Sequence, residues 1–149
     1  MKNQEVMKNQ EVIQKREVIK KQEVILDTNF LLVPYQLKLD IFSELAFQLE
    51  PPYLLLVPSS VISELKKLSK NKGKQGMAAK FALKLVVVNK DAGKLSVVKG
   101  TAPVDDWIVA YSKENRAIVC TNDEKLRNRL KAGRIRMIVI NSRSRLGFA

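Results

Sequence analysis

The pattern that most constrains the fold is an alternation of short apolar runs with longer helical stretches. Apolar runs of strand length occupy residues 23–26, 53–57, 94–98, 117–120 and 135–140. The run Tyr53–Val57 is continuously apolar, which is typical of a strand buried on both faces. Strands that alternate with helices favour a parallel sheet flanked by helices. We therefore predict a single α/β domain with a mainly parallel central sheet.

The helices between these runs are bounded by proline, serine and glycine. We predict a helix over 37–49, because Pro51 and Pro52 would end it. The next helix should begin at Ser59–Ser60, with serine as its N-cap. Beyond a loop at 71–75 and a turn at 100–103, we predict helices over 77–88, 104–115 and 124–131. The strand at 135–140 should be the last, followed by a short basic tail.

The N-terminus consists of four hexads, MKNQEV, MKNQEV, IQKREV and IKKQEV. Six helical residues turn about 600°, so each hexad would be offset from the previous one by about 240°. The recurring apolar pairs would then face three directions, and no single stripe could pack on a domain. We predict that residues 1–21 form a low-complexity arm and that the domain spans 22–149.

Charge and residue usage limit the chemistry. Lys and Arg number 27 against 15 Asp and Glu, which gives a net charge of +12 and favours nucleic acid as a partner. The chain has no histidine, which excludes a histidine base, a Ser-His-Asp triad and a histidine zinc site. Its single cysteine, Cys120, excludes an internal disulfide. Hydrolysis by this chain would depend on carboxylates, lysines or metal ions.

Membrane and export signals are not evident in the sequence. No apolar run reaches the roughly 18 residues that a membrane span needs. The N-terminus carries no apolar signal-peptide core. We therefore expect a cytoplasmic protein that does not associate with a membrane.

Several acids follow predicted strands. Asp27 comes directly after the first strand, Asp123 lies just past the strand 117–120, and Asp105 and Asp106 begin the helix after the strand 94–98. Glu64 falls in the second turn of the helix after the strand 53–57. Ligands bind at this carboxyl edge in open α/β sheets, so we expect the acids to share one cleft.

Clustered carboxylates repel each other, and a divalent cation relieves that repulsion. Oxygen ligands suit Mg²⁺ or Mn²⁺, and such ions can activate water for phosphodiester hydrolysis. Each acid also has an ordinary structural role open to it. Asp27 and Asp123 could be turn or cap residues. Asp105 could be a negative charge that the helix dipole favours at the N-terminus of its helix, and Glu64 could pair with Lys67.

Four segments resemble the PIN-domain family of magnesium- or manganese-dependent ribonucleases. They are VILDTNFLL (24–32), VPSSVISEL (57–65), DDWIVAYSKENRAIVCTNDEKLRNRL (105–130) and RMIVI (136–140). The resemblance implies a parallel α/β sheet and a centre of four acids. Asp27 matches the first acid, Glu64 the second and Asp123 the fourth, while the distance to the T-N-D element favours Asp105 as the third. It also implies supporting polar residues, namely Thr28, Asn29, Asp106, Thr121 and Asn122.

The segments PSSVISELKKL and GTAPVDDWIV look most like the archaeal and eukaryotic ribosomal-RNA-processing branch. This implies an endoribonuclease acting on a ribosomal RNA precursor. A homodimer is compatible with this function. Two alternatives stay open: a toxin-type ribonuclease held by an antitoxin, and a non-catalytic RNA-binding or ribosome-assembly factor. The candidate RNA contacts are Lys66, Lys67, Lys70, Lys72, Lys74, Arg127 and Arg129, with Lys131, Arg134 and Arg136 as further candidates.

Overall fold

The computed structural model describes residues 21–141 and 145–149. In these ranges the strands are β1 (Gln22–Leu26), β2 (Tyr53–Pro58), β3 (Leu95–Val98), β4 (Ile118–Cys120), β5 (Met137–Ile140) and β6 (Leu146–Phe148). The helices are α1 (Thr28–Leu37), α2 (Ile41–Gln48), α3 (Ser59–Leu68), α4 (Lys74–Asp91), α5 (Val104–Asn115) and α6 (Glu124–Ala132).

The strands form one sheet in the order β3-β2-β1-β4-β5-β6. Strands β1 to β5 pair in parallel, and β6 pairs antiparallel with β5. The predicted single α/β domain with a mainly parallel sheet is confirmed. The chain moves from β1 outward to β3 and then returns to the other side of β1 at β4. The carboxyl ends of β1 and β4 therefore flank a topological switch point, where α/β sheets commonly bind ligands.

Both faces of the sheet are covered, which explains the continuously apolar strands. Side chains alternate along β1, so Val24 and Leu26 pack against α1 to α4 while Ile25 packs against α5 and α6. Leu65 on one face and Leu126 on the other are fully buried. Burial of a side chain of this size contributes on the order of 2 kcal/mol. These two layers hold the strand ends, and the acids that follow them, in fixed positions.

The helix predicted over 37–49 is present as the shorter α2 (Ile41–Gln48), and a separate helix, α1 (Thr28–Leu37), precedes it where none was predicted. Asp27 caps α1 by accepting a hydrogen bond from the Phe30 amide at 2.7 Å. The Asp-Thr-Asn segment therefore begins a helix, and buried apolar residues hold that helix against the sheet despite Pro34 within it. Lys38 then adopts a left-handed backbone with φ 54°, and Asp40 caps α2.

Three smaller expectations need correction. The N-cap of α3 is Pro58, not serine, because the Ser59 hydroxyl instead accepts from the Gly100 amide at 3.0 Å. Helix α4 is longer than the predicted 77–88, since it spans Lys74–Asp91. The strand at 135–140 is not the last, because the tail returns as β6 and pairs Leu146 with Ile140.

The predicted arm at residues 1–21 lies outside the described residues except for Lys21, which is exposed. The predicted domain limits of 1–21 and 22–149 therefore stay predictions. Within the described ranges, no helix combines the length and apolar character needed to cross a membrane.

Candidate active site

Asp27 is the most buried acid near the switch point, with 3% of its surface exposed. One carboxyl oxygen accepts from the Phe30 amide, and the other accepts from the Thr121 hydroxyl. Burial raises its pKa to about 7 against the lowering effect of these hydrogen bonds, and the charges of Asp105 and Asp123 raise it further. Asp27 is thus an N-cap and also a desolvated carboxyl group.

Asp123 follows β4 and caps α6, where it accepts from the Leu126 amide at 2.8 Å. Its second carboxyl oxygen lies 3.4 Å from the side-chain amide of Asn29, which donates to it. The Asp123 amide donates to the Thr121 hydroxyl oxygen at 3.0 Å. The fully buried Thr121 therefore connects the acid after β1 to the acid after β4.

The two adjacent aspartates of α5 have different surroundings. Asp105 is half-buried, and its pKa is raised by burial, by Asp123 and by Asp106, with Arg129 opposing this. Asp106 is exposed and forms an ion pair with Arg129 at 2.8 Å. Asp105 is therefore the member of the pair that is electrostatically coupled to both Asp27 and Asp123.

The other predicted site residues vary in exposure. Glu64 is exposed in the second turn of α3, and Asn122 is exposed beside Asp123. Thr28 is buried, and its hydroxyl has no hydrogen-bond partner among the described residues. The structure thus couples three predicted acids around the switch point and places Glu64 on the surface of a neighbouring helix.

The donor chemistry of these acids fits a divalent cation. Within residues 21–141 and 145–149, no three acid, cysteine or histidine side chains already form a set that would hold an ion. The fit rests instead on the neighbouring carboxylates, because a nearby cation would stabilise their ionised forms, which burial and then the adjacent acids disfavour at Asp27 and Asp105. Carboxylate oxygens are the ligands that Mg²⁺ and Mn²⁺ prefer.

The predicted RNA contacts lie in two regions. Most of the lysines are exposed between the end of α3 and the start of α4; these are Lys66, Lys67, Lys70, Lys72 and Lys74. Gly76 fixes this loop, because a Cβ there would lie 1.9 Å from the Asn71 carbonyl oxygen. The other region is α6, where Arg127 is half-buried and Arg129 forms an ion pair with Asp106.

The sequence predicts only a turn at Gly100, but this residue also packs against the start of α3. A Cβ at Gly100 would lie 2.8 Å from the Pro58 Cβ and 3.0 Å from the Ser60 hydroxyl oxygen. Glycine therefore lets the start of α3 approach the segment that leads into α5. The only sequence signal for this contact is the G-T-A-P turn itself.

A mainly parallel sheet with neighbouring carboxylates at its switch point defines the class of this protein, an α/β domain with an acidic site at the carboxyl edge of its sheet. Residues 24–145 match the family model described as PIN like domain. The chain belongs to this family.

Named relatives agree with that assignment. Ribonuclease VapC4 from Methanocaldococcus jannaschii is 31% identical over 122 residues, which cover 78% of this chain and 88% of the relative. The solved structure of the PIN domain endonuclease Utp24 is 25% identical, with a TM-score of 0.65 over 85% of this chain and 90% of the other. VapBC-1 from nontypeable Haemophilus influenzae shares the fold, at 17% identity and a TM-score of 0.52 over 74% of this chain and 94% of its own.

Proposed function

We propose that this protein is a metal-dependent endoribonuclease. Its centre would consist of Asp27, Glu64, Asp105 and Asp123, with Mg²⁺ or Mn²⁺ as the cofactor. The observation that carries the proposal is the buried carboxyl group of Asp27, whose pKa rises to about 7 beside two further acids. Such an arrangement weakens the fold, and strongly perturbed acids of this kind are concentrated at functional sites.

The chain's own residues would orient the acids. The Thr121 hydroxyl holds one oxygen of Asp27, and the Asn29 amide holds one oxygen of Asp123. Each of these acids also accepts from a backbone amide in its following helix, so its carboxyl plane is fixed from two sides. Glu64 completes the set on the strength of the family resemblance. A bound divalent cation would supply the activated water and stabilise the leaving oxygen.

RNA is the substrate that the charge of the chain favours, because 27 bases against 15 acids attract a polyanion. The names of two relatives, a ribonuclease and an endonuclease, support cleavage. We propose a ribosomal RNA precursor as the target, in the cytoplasm, on the strength of the segments PSSVISELKKL and GTAPVDDWIV.

A second candidate is a toxin-type ribonuclease held by an antitoxin. The 31% identity to Ribonuclease VapC4 favours it, since the match covers 88% of that relative. The two candidates share one active site and differ in target and partner. A homodimer is compatible with both. A non-catalytic RNA-binding factor would keep the fold without using the acids.

The test is cleavage of a panel of RNAs with Mg²⁺ or Mn²⁺, with mapping of the new ends. A ribosomal-RNA-processing enzyme should cut the precursor at one or a few positions and leave mature RNA intact. A toxin should cut a mature RNA and arrest growth when expressed without its partner. Failure of the wild type to cleave any RNA with either ion would contradict the proposal and favour the non-catalytic factor.

A further inference from the structure

A groove of about 570 Å³ lies between α6, the residues before β5 and the end of β6. One end of the groove is formed by Asn122 and Glu124, which flank Asp123 in the chain. The groove therefore starts beside the candidate active site and follows the length of α6. A second, larger cavity of about 830 Å³ is lined by residues such as Phe42, Tyr53 and Phe81. None of the four candidate acids lines it.

Three cations line the groove. Arg127 and Lys131 are four residues apart and so project from the same face of α6. Arg134 follows the helix in a left-handed backbone conformation, with φ 57°, and also lines the groove. Among the described residues none of the three forms an ion pair, whereas Arg129 pairs with Asp106 on α5. Of the described residues that line the groove, Glu124 alone has an acidic side chain, and it lies at the end nearest Asp123.

We propose that this groove carries the phosphate backbone of single-stranded RNA away from the acid centre. The proposal rests on the proposed ribonuclease function and adds the path of the substrate. Arg127 and Lys131 are separated by roughly 6 Å along the helix axis, which is comparable with the distance between successive phosphates of a single strand. Arginine can also bind phosphate through two parallel hydrogen bonds.

The groove differs from the other basic region in shape. The lysines of the α3–α4 segment are exposed on a surface loop, where each would contribute mainly long-range attraction. Cations around a concave surface can contact several phosphates of one strand together, and their effects on binding should combine. The two arginines of α6 therefore have different roles in this proposal. Arg127 contacts RNA, whereas Arg129 forms an ion pair with Asp106 and so holds α6 against α5.

The test measures binding of a fluorescein-labelled 12-nucleotide single-stranded RNA in EDTA, over a series of salt concentrations. The groove variant combines Arg127→Gln, Lys131→Gln and Arg134→Gln. The control variant combines Lys84→Gln, Lys90→Gln and Lys94→Gln, which are exposed residues on or just after the distal part of α4. Both variants lose the same formal charge, so the comparison isolates position.

Three lost phosphate contacts should reduce the slope of log Kd against log salt by about 2 and weaken binding roughly 30- to 100-fold at 0.1 M salt. The control should change the slope by less than about 0.7, the value of one contact. Arg129→Gln should leave the slope unchanged. Lys131→Gln alone changes an exposed residue and should lower the slope of log Kd against log salt by about 0.7. This single variant replaces the triple variant in the test if the triple variant does not fold.

Equal losses in the groove and control variants would overturn the proposal, because net charge alone would then hold the RNA. Unchanged RNA binding by a folded groove variant would also overturn it and would point to an acidic protein segment as the occupant. A wild type that fails to cleave RNA, yet shows the expected difference in slope, would contradict the ribonuclease function and support the groove.

Discussion

Replacing Asp27 with asparagine should make the protein more stable at alkaline pH. The Asp27 pKa is raised from 3.8 to about 7, and one pKa unit corresponds to about 1.4 kcal/mol, so keeping this group ionised costs the fold about 4 kcal/mol. Asparagine removes that cost and can still accept from the Phe30 amide. The pKa of about 7 already includes the opposing effect of the hydrogen bond from Thr121, so we expect a gain of about 4 kcal/mol above pH 7.

The gain should depend on pH with a definite sign. An acid whose pKa is raised in the folded state contributes stability below its unfolded pKa, and that contribution is lost as pH rises through its folded pKa. The free energies of unfolding of wild type and Asp27→Asn should therefore converge near pH 4, diverge up to about pH 7 and differ by a constant amount above it. Urea titrations in EDTA between pH 4 and pH 9 measure this difference directly.

Asp40 provides the matched control, because it also caps a helix by accepting from the amide three residues later. It is exposed, and hydrogen bonds from the Ser43 hydroxyl and amide lower its pKa. Asp40→Asn should therefore give no gain in stability at high pH. If Asp27→Asn were no more stable than wild type at pH 8, and the difference did not change toward pH 4, the desolvation argument would be wrong.

Three further results are expected. Gly76→Ala should lower the melting temperature by several degrees, because its Cβ would lie 1.9 Å from a backbone oxygen, whereas Gly147→Ala, with no atom within 4 Å, should be nearly neutral. Asp105→Asn should remove cleavage in a gel assay, while Asp106→Asn should keep most of it, because Asp106 faces solvent; the reverse ranking would identify Asp106 as the ligand. Deletion of residues 1–20 should leave the melting temperature unchanged in calorimetry, and a loss of several degrees would show that the arm packs on the domain.

The sheet could be predicted from the sequence because its strands are apolar on both faces. A run such as Tyr53–Val57 has few other stable locations than the middle of a layered α/β domain. The approximate position of the acids followed from the same pattern, since each of Asp27, Asp105 and Asp123 comes after an apolar run. Neither inference required knowledge of contacts between distant residues.

What could not be predicted depends on distant contacts or on local ambiguity. Asp-Thr-Asn after a strand is equally suited to a turn and to a helix start, and the packing of Phe30 and Leu31 decides for the helix. The pairing of Arg129 with Asp106 joins residues 23 positions apart, with no pattern in the sequence to indicate it. Strand β6 forms through backbone hydrogen bonds with β5, to which composition is a poor guide.

The central claim is that Asp27 serves cleavage and not only helix capping. The most direct measurement is the single-turnover cleavage rate of one RNA, with Mn²⁺ at saturation, by wild type, Asp27→Asn and Asp40→Asn. Both variants should bind the RNA with unchanged Kd. We expect Asp27→Asn to lose cleavage by several orders of magnitude and Asp40→Asn to cleave at the wild-type rate. Equal rates for all three proteins would contradict the account and reduce Asp27 to a buried helix cap.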